Sequence, residues 1–126
     1  MTLMDVQEVA WDLDPLVDGA GPDGADRLLD EADDRAARFA ETYAGKVDGL
    51  DGAGLAAAMA ELEAIVDAIG RAGSYAMLRF AVDTADPANG ALLARVQERA
   101  TATETKLLFF ELEWAGLDDA RADELL

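Results

Sequence analysis

The 126-residue chain contains no cysteine and no histidine. Without these residues it has no disulfide, no thiolate or imidazole ligand for a metal, and no Ser/His/Asp or cysteine nucleophile. The absence of cysteine also fits a reducing compartment. The absence of cysteine and histidine therefore excludes the commonest catalytic nucleophiles and the commonest zinc sites from the chain itself.

Basic residues are scarce as well, since 10 Lys and Arg face 27 Asp and Glu, which gives a net charge of −17. Such a chain repels phosphate backbones and anionic lipid headgroups, so we expect neither nucleic acid nor a membrane surface as a partner. The longest stretch without a charge is residues 52–60, which is too short for a membrane-spanning helix or a secretory signal. These features predict a cytoplasmic protein.

Nothing in the sequence alternates with the two-residue period of a strand, whereas apolar residues recur at helical spacing. The spacing predicts a first helix over residues 23–44, capped by Asp23 and closed by Gly45. A second helix follows the turn at residues 46–52 and ends or kinks at Gly70-Arg71-Ala72-Gly73. A third, shorter helix ends at residues 83–85.

The most periodic segment spans residues 87–115, where Asp86 caps the start and Pro87 takes the first helical position. Its apolar residues form a heptad-like seam of Leu93, Val96, Ala100, Thr103, Leu107, Phe110 and Trp114. A second apolar flank lies outside this seam and consists of Leu92, Leu108 and Leu112. Such a helix requires more than one neighbour, which predicts self-association through any part of it that stays exposed.

Residues 118–126 have an acidic first turn and end in two leucines, a pattern that predicts a helix truncated as its apolar face begins. We expect partial disorder at this end if the chain does not self-associate. Residues 1–22 hold two of the three prolines and a glycine cluster, which is typical of an irregular arm. Its expected anchors are Trp11, Leu13 and Leu16.

The predicted fold is therefore all-α. It is an antiparallel array of four helices plus a truncated fifth over residues 23–126, preceded by the irregular arm. The length favours a single domain.

One loop, Gly19-Ala20-Gly21-Pro22-Asp23-Gly24, matches the G-x-G-x-x-G pattern of dinucleotide-binding proteins. That fingerprint requires a preceding buried strand and a loop without negative charge. Here no strand is predicted before it, and Asp14, Asp18 and Asp23 surround the glycines. We interpret the match as an ordinary loop.

Paired carboxylates are the next candidates, because two acids can share acid and base roles in hydrolysis. The pairs Glu61/Glu63 and Glu111/Glu113 are two residues apart, so their side chains point about 200° apart on a helix and do not converge. Glu104 and Glu111 are seven apart and share a face that could line a groove. A solvated face is the favoured interpretation.

The other polar candidates also have structural interpretations. The acidic run at residues 30–34 lies in a helical pattern without the glycine turn of a calcium loop, so it predicts a solvated face. Residues 48–52 suit tight turns. Ser74, the single serine, has no histidine to activate it and is expected to cap a helix. No residue is assigned as catalytic, cofactor-binding or metal-binding.

Taken in order, several segments resemble the N-terminal region of the oligoendopeptidase F family, zinc metallopeptidases related to thimet oligopeptidase. The similarity covers almost the whole chain. The matching segments are Trp11-Asp12-Leu13 with Pro15-Leu16, Phe39, Tyr43-Ala44-Gly45-Lys46-Val47, Ser74-Tyr75-Ala76, Asp83-Thr84, and Leu107-Leu108-Phe109-Phe110-Glu111-Leu112-Glu113.

The resemblance implies a cytoplasmic enzyme that cleaves short peptides with one zinc, bound by a His-Glu-x-x-His helix and a downstream Glu. This chain has no histidine and cannot hold that motif. What is present resembles the helical wall of the substrate channel, and the expected partner is the catalytic remainder of the peptidase. By itself the chain should show no peptidase activity and no tight zinc binding. A second interpretation stays open, in which the chain is a stand-alone acidic helical module that binds a partner protein.

The excess of acids predicts that salt stabilises the chain. Raising sodium chloride from about 0.01 M to about 1 M shortens the Debye length from roughly 30 Å to about 3 Å and screens self-repulsion. The competing loss of exposed ion pairs, such as one between Asp34 and Arg38, amounts to only about 0.3–0.5 kcal/mol each. We expect the thermal unfolding midpoint to rise with salt. A flat or falling midpoint would show that pairing offsets repulsion.

Overall fold

A computed structural model describes residues 13–126 of the chain. It contains three long α-helices, α1 (Gly21–Tyr43), α2 (Gly52–Val82) and α3 (Pro87–Ala115), and a short one, α4 (Asp119–Leu125). Two 3₁₀ turns, Asp14–Val17 and Val47–Gly49, precede α1 and α2. No strand occurs within these described residues, which confirms the all-α prediction.

The three long helices run up, down and up, so that α1 and α3 are parallel and α2 is antiparallel to both. Cross-helix ion pairs give the direction, because residue numbers on α1 and α3 rise together from Asp26 with Arg95 to Asp30 with Arg99. α1 packs against both α2 and α3, and those two also pack against each other. The fold is therefore a three-helix bundle with α4 at one end.

Aspartates cap three of the helices. The carboxylates of Asp51, Asp86 and Asp118 accept hydrogen bonds from backbone N–H groups in the first turns of α2, α3 and α4, at 2.6, 2.9 and 2.7 Å. Each bond satisfies a donor that the helix itself leaves free. The predicted Asp86-Pro87 start is confirmed.

The predicted end of the second helix at Gly70-Arg71-Ala72-Gly73 is wrong, since α2 continues through both glycines. Two mid-helix glycines cost roughly 1–2 kcal/mol together. The cost is offset because the helix buries Ala68, Ile69 and Ala72 between and beside them, and this apolar stripe runs on to Ala76. Tertiary packing therefore overrides local propensity, and the predicted second and third helices are one.

The arm also differs from the prediction. α1 begins at Gly21, two residues earlier than expected, and Asp23 lies in its first turn instead of capping it. Gly24 packs so closely on the preceding turn that an added Cβ would lie 2.7 Å from the carbonyl oxygen of Val17. Two of the predicted anchors, Leu13 and Leu16, are half-buried against the core. The third, Trp11, lies outside the described residues.

Alanine forms much of the contact between α1 and α2. Six alanines of the two helices have no exposed surface, namely Ala25, Ala32, Ala36, Ala58, Ala72 and Ala76. Small side chains let two helix backbones approach closely, and the larger Leu29 and Ile65 then fill the space between them. Each alanine buries little apolar area, but its small side chain allows this close packing.

The continuity of α2 gives a prediction with a matched pair of glycines. An added Cβ at either Gly70 or Gly45 meets no atom within 4 Å, but Gly70 is helical while Gly45 has a φ of +75° after the end of α1. We expect Gly70→Ala to stabilise the chain by about 0.5–1 kcal/mol and Gly45→Ala to destabilise it by about 1 kcal/mol. Urea unfolding of both variants measures this. Destabilisation by Gly70→Ala would contradict a continuous α2.

Candidate functional site

An apolar groove runs between α2 and α3 on the side of the bundle that α1 does not cover. We call it the α2–α3 groove. It consists of two adjoining cavities of about 360 and 380 Å³, which share Leu62, Phe110 and Glu111 as lining residues. The remaining lining residues are Leu55, Met59, Val66, Glu104, Leu107, Leu108, Trp114 and Leu126.

Large apolar side chains of the groove are open to solvent. Met59 is 47% exposed, Val66 54% and Leu108 49%. Single exposed apolar residues are ordinary on a protein surface, whereas a contiguous set along two facing helices is typical of interaction sites. The sequence prediction that α3 requires more than one neighbour is consistent with this geometry.

The floor of the groove is firm because it is also the core of the bundle. Phe110 is buried beneath the groove and contacts Phe39 of α1, with the two ring centroids 5.5 Å apart. Phe39 in turn contacts Tyr43 at 4.8 Å and Phe109 at 5.7 Å. Such a cluster of tilted rings holds α1 and α3 in one register, so the groove is a preformed surface.

One end of the groove is bounded by α4. Leu125 is buried, whereas Leu126 is 88% exposed and lines the groove. The guanidinium of Arg121 holds α4 in place, because it donates two hydrogen bonds to the carbonyl oxygen of Asp48 and one to that of Leu50. The helix predicted at residues 118–126 is therefore present, and its apolar face begins to cover the groove.

The charges at the groove are acidic. Glu104 and Glu111 line it, and both are exposed and make neither an ion pair nor a hydrogen bond with any described residue. The sequence favoured a solvated face for this pair, and both side chains are exposed to solvent while they also line the groove. The signal was available, since seven-residue spacing puts them on one face next to Leu107 and Leu108.

The basic residues of α3 point to its other side, toward α1. All three pair with aspartates of α1: Arg95 with Asp26, Arg99 with Asp30 and Lys106 with Asp33. We call this row of ion pairs the ladder. Two of the four acids in the run at residues 30–34, Asp30 and Asp33, therefore join α1 to α3, while Glu31 pairs within α1 with Arg35 and Asp34 stays exposed, as expected of a solvated face. The expected pair of Asp34 with Arg38 does not form in the described part of the chain.

Asp33 is the best-connected rung of this ladder. The hydrogen bond from the Lys106 ammonium, 2.5 Å long, lowers the pKa of the Asp33 carboxyl below its ordinary value, while partial burial acts in the opposite direction. The charge of Lys106, a hydrogen bond from the Thr103 hydroxyl and the charge of Arg99 lower this pKa further. The carboxylate of Asp33 therefore stays ionised to lower pH than a free one.

The Glu-x-Glu pairs do not converge, as predicted, and one member of each pair binds another part of the bundle. Glu113 binds the loop after α1, where its carboxylate accepts hydrogen bonds from the N–H groups of Gly45 (2.9 Å) and Val47 (3.3 Å). Glu61 pairs with Arg35 at 3.2 Å. Sequence reasoning did not identify Glu113 as a loop anchor, because its partners are more than 60 residues away.

The remaining candidates occupy structural positions. Ser74 lies exposed within α2, so the expected cap is wrong because the helix does not break there. The glycine segment at residues 19–24 follows a 3₁₀ turn instead of a strand, and the ordinary-loop interpretation holds only for its first two residues, because residues 21–24 form the first turn of α1. Asp48 lies in the second 3₁₀ turn, as the tight-turn interpretation predicted.

Two arginines in the C-terminal half of α2 tie it to neighbouring segments. Arg71 donates from Nε to the carbonyl oxygen of Leu16 at 3.0 Å and from a terminal nitrogen to Asp18 at 3.1 Å, which ties the first 3₁₀ turn to α2. Arg79 donates to the hydroxyl of Tyr75 at 2.6 Å and to the side chain of buried Asn89 at 2.9 Å. These bonds connect α2 to the segment that precedes α1 and to the first turn of α3.

The zinc implied by the family resemblance does not fit the residues present. The chain supplies no histidine or cysteine, and residues 13–126 hold no group of three potential ligands that could bind a metal ion. In the same range, no helix is long and apolar enough to cross a membrane.

Comparison of the chain with protein-family models, curated proteins and solved structures found no match.

The ladder between α1 and α3 gives a prediction about pH. Because the folded-state pKa of Asp33 is depressed, its stabilising effect is present above about pH 4 and is lost as pH falls through the folded-state pKa. Asp33→Asn should lower the free energy of unfolding by about 0.2–1 kcal/mol at neutral pH, the range for exposed pairs. The gap between the variant and the wild type should close on acidification below about pH 4.

Urea unfolding at a series of pH values measures this gap. The matched control is Asp34→Asn, since Asp34 is the adjacent acid, is exposed and pairs with no described residue. It should cause no loss of stability at neutral pH. A gap for Asp33→Asn that is independent of pH would mean that the carboxylate charge does not stabilise the fold.

Proposed function

We propose that this chain is the helical N-terminal region of a zinc oligoendopeptidase of the oligoendopeptidase F type, where it forms one wall of the substrate channel. The α2–α3 groove carries the proposal, because it is an apolar surface that the described chain leaves uncovered. The catalytic remainder of the peptidase would pack into that groove. The chain contributes shape and position, and no catalytic group.

The shape of the groove supports a packing role. Two antiparallel helices with an open apolar seam are half of a four-helix arrangement, and a further helix completes such a core. The lining of α2 runs from Leu55 to Val66, which is about 17 Å of helix at 1.5 Å per residue. A segment of three to four helical turns would cover it.

The contacts made by the family-like segments also support the proposal. The Tyr43–Val47 segment and the Leu107–Glu113 segment are far apart in sequence and meet through the carboxylate of Glu113. Pro15-Leu16 meets α2 through Arg71. Residues that resemble the family at these positions therefore hold the bundle together, which is the role expected of a non-catalytic region.

The chemistry of the whole enzyme belongs to the remainder under this proposal. Zinc, its histidine and glutamate ligands, and the water that it activates would all lie outside this chain. We place the protein in the cytoplasm, with short peptides as substrates and with neither nucleic acid nor membrane as a partner, in line with its acidic charge.

A second candidate function is that of a stand-alone acidic module that binds another protein through the same groove. One observation favours it, since the described residues enclose a core of their own and leave no buried side-chain nitrogen or oxygen without a hydrogen bond. The DNA downstream of codon 126 distinguishes the two candidates. An open frame leading to a His-Glu-x-x-His motif supports the peptidase, and an unrelated gene supports the module.

The test is to express the chain joined to the polypeptide encoded downstream and to measure cleavage of an internally quenched peptide. We expect chelator-sensitive cleavage from the joined protein and none from the chain alone. The variant V66D/L108D, which puts two charges in the groove, should lower cleavage at least about tenfold because burying unpaired carboxylates is costly. The control M77D/V82D alters two apolar residues outside the groove that are at least as exposed as Val66 and Leu108, and it should leave cleavage unchanged.

Two results would overturn the peptidase proposal. Chelator-sensitive cleavage by the chain alone would place a catalytic site where no ligand set exists. Full activity in V66D/L108D would show that the groove does not contact the catalytic remainder.

A further inference from the structure

We propose that the segment that fills the α2–α3 groove is an amphipathic helix whose apolar stripe is bordered by lysine or arginine. This inference rests on the proposed function in one respect, namely that the segment belongs to the catalytic remainder of the peptidase. The chemistry of the segment is set by the distribution of charge around the groove.

Charge is segregated on α3. The bases Arg95, Arg99 and Lys106 all pair with acids of α1. On the groove side of the same helix, Glu104 and Glu111 have no partner among the described residues. The basic groups of α3 are therefore fully used on one side, and its opposite side presents carboxylates only.

The acids of α2 do not line the groove. Glu61 turns toward α1 and pairs with Arg35. Glu63 directly follows the groove residue Leu62, about 100° further around the helix, and it is exposed without a partner in the described chain. No base is among the residues that line the groove. The charged groups of the groove are therefore the carboxylates of Glu104 and Glu111 on α3, beside an apolar floor.

An occupant with the opposite charge would satisfy these acids. A helix whose apolar stripe meets Leu62, Leu107 and Phe110 would bring its flanking positions to Glu104 and Glu111, as the e and g positions of a coiled coil flank its seam. Lysine or arginine at those flanks gains ion pairs, whereas glutamate is repelled. The groove therefore selects for basic flanks.

A second copy of this chain is a poorer occupant. Each copy carries a net charge of −17, and two grooves that face each other would bring the same unpaired carboxylates together. The self-association expected from the sequence would have to overcome this repulsion, so we expect it to be absent at low salt. Charge complementarity favours the basic helix.

A designed peptide of about three heptads tests the inference, with leucine at the a and d positions and lysine at e and g. Lysine on both flanks also prevents the peptide from pairing with itself. A second peptide is identical except for glutamate at e and g. Fluorescence anisotropy of each labelled peptide is measured against the full chain at about 0.05 M and about 0.5 M salt, which span strong and weak electrostatic attraction.

We expect the lysine peptide to bind and the glutamate peptide to bind at least about tenfold more weakly at low salt, with the difference shrinking at high salt. In E104K/E111K the preference should reverse, so that the glutamate peptide becomes the tighter ligand. The control E41K/E98K changes the net charge by the same amount at two exposed, unpaired acids outside the groove. It should retain the wild-type preference.

Three results would overturn the inference. They are failure of the lysine peptide to bind, equal binding of both peptides, and the same loss of preference in E41K/E98K as in E104K/E111K. Sedimentation equilibrium of the chain at low salt supplies a fourth, since a stable dimer that V66D/L108D disrupts would show that a second copy fills the groove.

These outcomes separate the inference from the proposed function. A downstream frame with a His-Glu-x-x-His motif and a groove-dependent activity would sustain the peptidase proposal even if the lysine peptide failed to bind. Binding of the lysine peptide with an unrelated gene downstream would sustain the charge inference for a stand-alone module.

Discussion

The packing of α1 across one side of the α2–α3 pair is the constraint on which the other features depend. Phe39 of α1 joins the aromatic side chains of α3, and the buried alanines of α1 and α2 let those helices approach closely. Three helices can cover only one side of the pair in this way. The opposite side keeps the apolar residues that α2 and α3 carry on their second flanks, and this produces the groove.

The same packing determines where the charges lie. In a chain with 27 acids and 10 bases, ion pairs form wherever a base is available, and α1 draws the bases of α3 to its own side. Exposed pairs contribute little individually, but three in a ladder help to specify which helix faces which. The groove is left with carboxylates that have no partner among the described residues. An apolar floor beside the unpaired acids of α3 is thus a by-product of how the bundle is held together, and it is also the surface best suited to binding.

Much of the fold was predictable from the sequence, because helical periodicity and capping residues act locally. The start of α3 at Asp86-Pro87 and the closure of α1 by Gly45 are examples. The continuity of α2 through Gly70 was not predictable, since it depends on burial against another helix. The groove was foreseen only in part. The spacing of Glu104 and Glu111 indicated a shared face, but whether that face meets solvent or a groove depends on the position of α2, which local pattern does not give.

The central claim is that the α2–α3 groove is open in this chain and becomes filled by its partner. Methyl NMR with a soluble paramagnetic agent tests it directly, comparing the chain alone with the chain joined to the downstream polypeptide. We expect the methyl signals of Met59, Val66 and Leu108 to broaden in the chain alone, while those of buried Leu29 and Ile65 do not. We also expect the groove methyls to become protected in the joined protein. Groove methyls that are protected in the isolated chain, or that remain broadened in the joined protein, would contradict the claim.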